Sequence, residues 1–162
     1  MKILSATGSG KCKCDEDVLT PPGKYPWIAK EFFLYYIGMT TYITIEVMYR
    51  GYSHWSMGVV GGICFLLIGR INQRCRWDMS LILQMLLSTG IITLLELVSG
   101  LILNVWLGMG IWDYSNLRYN FMGQISLRYT MLWMLLSLAA IFLDDWLRHF
   151  LFGERKPRYR VF

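Results

Sequence analysis

Four long apolar blocks alternate with short polar segments along the chain. The blocks cover about residues 27–49, 55–71, 79–107 and 121–143. An α-helix rises about 1.5 Å per residue, so about 20 apolar residues cross a bilayer core of about 30 Å. We therefore predict an all-α integral membrane protein, in which a bundle of four transmembrane helices occupies residues 27–147. The polar residues outside it predict a disordered cytoplasmic tail over 1–26 and a basic cytoplasmic tail over 148–162.

The composition supports the membrane assignment. Hydrophobic residues make up 55% of the chain and charged residues 17%, compared with about 45–50% and about 25% in soluble domains. The net charge is +5, but the basic residues flank the apolar blocks and form no basic-aromatic patch. We therefore expect the lipid bilayer as a partner and no nucleic acid. The sequence has no nucleotide-loop, dinucleotide, metalloprotease or serine-hydrolase motif, which favours a protein without a cofactor.

Lysine and arginine are distributed unevenly between the two predicted sides. Arg50, Arg118 and Arg128 lie on one side, and the remaining basic residues lie in the tails and the second loop. Because cytoplasmic loops carry the excess of these residues, we predict a multi-pass protein of the cell membrane with both termini in the cytoplasm. Cys12 and Cys14 then lie on the reducing side. Without partner histidines they predict a reduced tail and no metal site.

Two glutamates, Glu46 and Glu96, interrupt the apolar blocks. A carboxylate in hydrocarbon is costly unless it is paired, neutralised or hydrated, so both are expected to face the bundle interior. The helical rise places Glu46 about 24 Å from Lys30 and Glu96 about 28 Å from Trp77, toward the outer surface. Glu96 also belongs to a stripe of small and polar residues at helical spacing, which contains Thr89, Thr93, Gly100 and Asn104. A functional polar site and a pair of capped packing seams both remain open.

The predicted third loop and the start of the fourth block are unusually polar. Asp113, Asn120 and Arg128 lie there. The guanidinium of Arg128 is about one turn inside the block, where it could pair with Glu46, Glu96 or Asp113. The alternative is a structural plug in which Arg128 extends to the outer surface.

The chain resembles a known family through a motif between about residues 94 and 133. The motif combines a membrane glutamate followed by Ser-Gly, a Trp-Asp-Tyr-Ser loop and an Asn-Phe-x-Gly entry to the next span. These positions are Glu96, Ser99, Gly100, Trp112, Asp113, Tyr114, Ser115, Asn120, Phe121 and Gly123. The combination is similar to the CmpB-like, ABC-transporter type IV family of multi-pass membrane proteins. The resemblance implies four membrane spans and a permease-like label without an assigned activity.

The second block departs from the pattern of bacterial members of that family. They carry Arg-Gly-Phe-x-x-Gly-Pro there, whereas residues 56–62 of this chain have no proline. Gly58 and Gly62 instead form a pair of small residues at helical spacing. Such a pair predicts close helix packing, either within the protein or between copies.

Three functional hypotheses remain from the sequence. The first is a permease-like or channel-like protein, as a homo-oligomer, with an outward-facing polar site for a cation, proton or small polar solute. Its site residues are Glu46, Glu96, Asp113, Asn120 and Arg128. The second is a membrane-embedded enzyme that uses paired carboxylates on a lipid or outer-surface substrate. The third is a non-catalytic scaffold or interaction subunit. A separate ATPase subunit is a possible partner, but the sequence gives no support for it.

Overall fold

The computed structural model describes residues 26–74, 79–154 and 159, so Cys12, Cys14 and nearly all of the predicted N-terminal tail lie outside it. The prediction was an all-α protein, and within these ranges the chain is mainly helical with one short β-hairpin. The elements in chain order are α1 (Trp27–Arg50), α2 (Trp55–Arg74), α3 (Leu81–Gly100), a π-helical segment (Leu101–Trp106), β1 (Asn120–Phe121), β2 (Ile125–Ser126) and α4 (Leu127–Phe152).

Local signals in the sequence explain where the helices begin and end. Ser80 and Ser126 precede α3 and α4, and their side chains accept hydrogen bonds from backbone amides of the first turn. Gly51 and Gly153 follow α1 and α4 with φ of 80° and 68°. This left-handed conformation suits glycine and lets its amide close the last turn of a helix.

The fourth helix differs from the predicted fourth span at both ends. It begins at Leu127 instead of about residue 121, because β1 and β2 form a short antiparallel hairpin before it. Met122 in the turn has a φ of 54°, which a right-handed helix excludes. At the other end α4 continues to Phe152 instead of ending near residue 143. The first residues of the predicted basic tail, from 148 onward, are therefore helical.

Glycines bring α1 and α2 into close contact, and these two helices pack most extensively of all pairs. A methyl group on Gly58 would lie 2.6 Å from the side chain of Ile43, and one on Gly62 would lie 2.9 Å from the carbonyl oxygen of Tyr35. Gly58 and Gly62 therefore contact α1 of the same chain. If two copies of the chain associate, their contact must use a surface other than the one that contains Gly58 and Gly62.

Two of the helices in the described ranges are long and apolar enough to cross a membrane. They are Leu81–Trp106, with a mean hydropathy of 2.1, and Leu127–Phe152, with 1.5. The apolar part of α2, Trp55–Ile71, is shorter. Large apolar side chains on the outside of the helices are exposed, among them Phe32 and Leu135, as expected for surfaces that contact lipid.

The helices run alternately up and down, which gives the molecule two distinct ends. At the terminal end, Lys30 at the start of α1 pairs with Glu154 after α4, at 3.3 Å. The hairpin end, on the opposite side, contains Arg50 and residues 107–126. Arg50 Nη2 there donates to the carbonyl of Ile111 at 2.9 Å. The described chain thus begins and ends on the same side of the molecule.

Candidate functional site

Glu96 is buried in α3, with only 4% of its surface exposed. Both carboxylate oxygens accept hydrogen bonds: the Tyr114 hydroxyl donates to Oε1 at 3.0 Å and the Trp133 indole N–H donates to Oε2 at 2.8 Å. These donors come from the hairpin-end loop and from α4. Glu96 therefore connects three separate segments of the chain.

Tyr114 is suited to remain a donor in this arrangement. Burial and the neighbouring Glu96 carboxylate raise the pKa of Tyr114 above its usual value, because both disfavour a phenolate. Its ring also stacks on that of Tyr129, with the ring centroids 4.4 Å apart. The loop residue thus presents its hydroxyl to Glu96 from a fixed position.

A cavity of about 140 Å³ lies beside Glu96, and α1, α2, α3 and α4 all contribute to its wall. Among the described residues that line it, Glu96 is the one charged side chain. Most of the other lining residues are apolar. Tyr42 and Trp133 contribute two aromatic rings, with centroids 6.1 Å apart and planes inclined at 33°. The site therefore combines one carboxylate with an apolar, aromatic wall.

Glu46 lies one residue beyond the lining residue Ile45 on α1, toward the hairpin end. Its Oε1 accepts a hydrogen bond from Arg50 at 2.9 Å and its Oε2 accepts one from Ser53 at 2.5 Å. Because Arg50 also bonds to Ile111, this ion pair attaches α1 to the loop after α3. Glu46 and Glu96 thus have different hydrogen-bonding partners.

The other predicted site residues lie in the loop or at its edge. Asp113 is exposed, and its Oδ1 accepts from both the amide and the hydroxyl of Ser115. These hydrogen bonds, the hydroxyl bond first, hold the pKa of Asp113 below its usual value. The Asn120 amide donates to the carbonyl of Leu117 at 2.7 Å, and its Oδ1 accepts from the amide of Gly123. Asp113 and Asn120 therefore shape the loop.

Arg128 is exposed and forms no ion pair with any carboxylate of the described residues. The ion pair considered for it with Glu46 is made instead by Arg50. A glutamate and an arginine four residues apart share one helix face, so the spacing of Glu46 and Arg50 could have indicated this pair from the sequence.

The remaining motif residues join the loop to the end of α3. The indole N–H of Trp112 donates to the carbonyl of Gln124 at 3.0 Å. Asn104, in the π-helical segment, donates to the carbonyl of Trp112 and to Gln124 Oε1. Gly100 leaves room for this contact, because a methyl group there would lie 2.6 Å from Gln124 Oε1. Ser99 bonds to a backbone carbonyl of its own helix.

The terminal end contains a buried ion pair, between Asp144 and Arg148, that was not predicted from the sequence. Asp144 and Arg148 lie beyond the predicted fourth span, which ended near residue 143, but they are 1% and 5% exposed and pair at 2.7 Å. Gly69 makes room for the carboxylate, and Glu31 lies 4.0 Å from Arg148. Asp144 Oδ1 and Arg148 Nη2 have no hydrogen-bond partner among the described residues. The spacing of four between Asp144 and Arg148 was the available signal.

A family model described as "Putative ABC-transporter type IV" matches residues 27–156, which include all four helices and the loop. The chain belongs to the ABC-transporter type IV family. The resemblance predicted from the motif around Glu96 is thus confirmed. The description of the ABC-transporter type IV family is that of a membrane protein of the ABC-transporter type. Neither a curated protein nor a solved structure matches the chain.

Proposed function

We propose that the protein is a permease-like protein of the cell membrane with four spans and cytoplasmic termini, in which the solute binds beside Glu96. The observation that carries this proposal is the position of a buried carboxylate on the wall of a cavity lined by all four helices. Ionisable residues inside membrane segments are costly and usually mark solute or ion pathways.

The lengths and charges of the helices support four spans. At about 1.5 Å per residue, the 24 residues of α1 are long enough to cross about 30 Å of hydrocarbon. The apolar part of α2, Trp55–Ile71, lies at the short end of the range for a membrane span, which is about 17–25 residues. The charges of α1 lie near its two ends: Lys30 and Glu31 at one, and Glu46 and Arg50 at the other. The excess of lysine and arginine around the terminal end supports its cytoplasmic orientation.

Two charged clusters bracket the cavity along the helix axes, which supports a permease with two gates. Each cluster joins separate parts of the chain, since Arg50 binds the loop carbonyl of Ile111 and Arg148 lies 4.0 Å from Glu31 of α1. Toward the hairpin end, the lining residue Ile45 is followed by Glu46. Toward the terminal end, Leu143 is followed by Asp144, which pairs with Arg148. A solute site between two gates fits an alternating-access mechanism, in which one gate opens at a time. The Glu46–Arg50 pair would form the outer gate.

Charge displacement in reconstituted membranes tests this function. The full-length protein in liposomes on a solid-supported electrode is exposed to rapid jumps of protons, sodium, potassium and choline. At least one cation is expected to produce a transient current, and Glu96→Gln is expected to abolish it because the carboxylate is lost. Glu154→Gln is the matched control, because Glu154 lies at the terminal end outside the cavity lining. Absence of current for all four cations in the unsubstituted protein would contradict the proposal.

A further inference from the structure

The cavity contains a negative group without a positive partner on its wall. Glu96 receives hydrogen bonds from Tyr114 and Trp133, which stabilise negative charge on its oxygens. No lysine, arginine or histidine is among the described residues that line the cavity. The nearby Arg50 is paired with Glu46. A carboxylate in an apolar environment must either take up a proton or face a cation.

A bare divalent metal ion does not fit this wall. Calcium and magnesium take six or more oxygen ligands at about 2.0–2.6 Å, from protein or water. Here the lining offers Glu96 and the hydroxyls of Thr41 and Tyr42, and most other lining groups are hydrocarbon. The described residues also contain no group of three or more acidic, cysteine or histidine side chains that could hold a metal. The cation must therefore satisfy an apolar wall as well as a carboxylate.

The aromatic rings favour a particular kind of cation. Tyr42 and Trp133 line the same cavity as Glu96, with their ring centroids 6.1 Å apart. Aromatic faces attract ammonium groups through the charge distribution of the ring, and alkylated ammonium ions are recognised in this way. Residues such as Leu136 and Ala140 then provide hydrocarbon contacts for alkyl substituents.

We propose that the cavity binds a small organic ammonium cation with apolar substituents, an inference that rests on the proposed function. The ammonium group lies near the Glu96 carboxylate and the rings of Tyr42 and Trp133. The substituents occupy the apolar remainder of a cavity of about 140 Å³. Because a proton competes for the same carboxylate, binding weakens as the pH falls.

The test compares choline with 3,3-dimethylbutan-1-ol, a neutral molecule of the same shape. Binding of each to the purified full-length protein in detergent is measured by titration calorimetry. Choline is expected to bind at least about tenfold more tightly than the neutral molecule. The cation–π and carboxylate interactions together contribute more free energy than a tenfold difference in Kd requires. Glu96→Gln is expected to remove this preference, whereas Glu154→Gln keeps it. Equal binding of the two probes, or an unchanged preference in Glu96→Gln, would overturn the inference.

A second variant covers the case in which Glu96→Gln does not fold. Tyr42→Leu retains the carboxylate and removes one ring, so it is expected to weaken choline binding several-fold and leave the neutral probe nearly unchanged. Equal losses for both probes would contradict the aromatic contribution and overturn the inference. If protons or sodium drive a current but choline does not bind, the inference is overturned and the proposed function is still supported. Choline binding without current from any cation supports the inference and contradicts the permease.

Discussion

Trp133 donates its indole N–H to Glu96 Oε2 at 2.8 Å, and this hydrogen bond joins α4 to α3 at the cavity wall. Tyr114 supplies the second donor from the hairpin-end loop. The two donors keep the carboxylate in one orientation while α1 and α2 complete the cavity. Glu96 therefore has a structural contribution that can be measured separately from solute binding.

Trp133→Phe removes one of these donors and keeps an aromatic ring. Loss of a hydrogen bond to a buried charged group is expected to lower the free energy of unfolding by about 1.5–3 kcal/mol. Denaturation by sodium dodecyl sulfate in mixed micelles measures this change. Trp146→Phe is the matched control, because Trp146 is 55% exposed and packs on Phe150. Equal stability of the two variants would show that the bond to Glu96 does not stabilise the fold.

The contact between α1 and α2 predicts a contrast among three glycines. Gly62→Ala is expected to destabilise the protein by about 1–3 kcal/mol, the usual cost of overpacking, since its methyl group would meet the rigid carbonyl of Tyr35. Gly58→Ala should cost less, because the side chain of Ile43 can move. Gly90→Ala has open space and should stabilise α3 by up to about 1 kcal/mol. Thermal melting in detergent distinguishes them, and a loss of stability in Gly90→Ala comparable to that in Gly62→Ala would contradict the packing.

The buried pair at the terminal end predicts strong coupling between two residues. Asp144→Asn removes the nearer of the two carboxylates beside Arg148 and leaves Glu31 at 4.0 Å, so the expected cost lies at the lower end of about 3–5 kcal/mol. Replacing both with apolar residues, as Asp144→Leu with Arg148→Met, removes the unpaired charge and should recover much of the loss. Unfolding titrations of the two single variants and the double variant measure the coupling. Additive losses would show that the two residues act independently.

Asp113 predicts a pH-dependent change confined to the hairpin-end loop. Its pKa is lowered in the folded protein by Ser115. A carboxylate with a lowered pKa stabilises the turn above its ordinary pKa, and the contribution is lost as the pH falls through the lowered value. The protection of the Ser115 amide against hydrogen exchange, measured relative to the intrinsic exchange rate at each pH, should therefore fall at acidic pH. In Ser115→Ala the transition should move to higher pH, because the hydroxyl bond is absent; an unchanged transition would contradict this assignment.

Much of the helical layout could be predicted from hydrophobic blocks alone. The predicted first block began at the same residue as α1, Trp27, and ended one residue before Arg50, where a glycine follows. The inward face of α3 was also predictable, because Thr89, Glu96 and Gly100 recur at helical spacing and all three are buried. The spacing of residues along a helix determines which side chains share one face. The buried face of α3 could therefore be predicted without knowing which helices pack against it.

The partners of the charged residues could not be predicted in the same way. Phe121 and Met122 extend the apolar pattern of the fourth block, so the hairpin before α4 was hidden by their hydrophobicity. The predicted fourth span ended just before Asp144 because charge is costly in hydrocarbon, but Arg148 and the space beside Gly69 accommodate this carboxylate inside the bundle. The donors to Glu96 lie 18 and 37 residues away along the chain. Such pairings depend on tertiary packing, which one-dimensional patterns do not contain.

Carbodiimide labelling tests most directly whether Glu96 faces a cavity that a solute can enter. Dicyclohexylcarbodiimide is lipid-soluble and adds covalently to a protonated carboxyl group, and mass spectrometry locates the adduct on the full-length protein in liposomes. An adduct is expected on Glu96, because its carboxyl group lies on the cavity wall and no basic side chain is among the described residues that line the cavity. Glu46 and Asp144 should remain unlabelled, because each pairs with an arginine. Labelling of Glu46 or Asp144 with none on Glu96 would contradict the account.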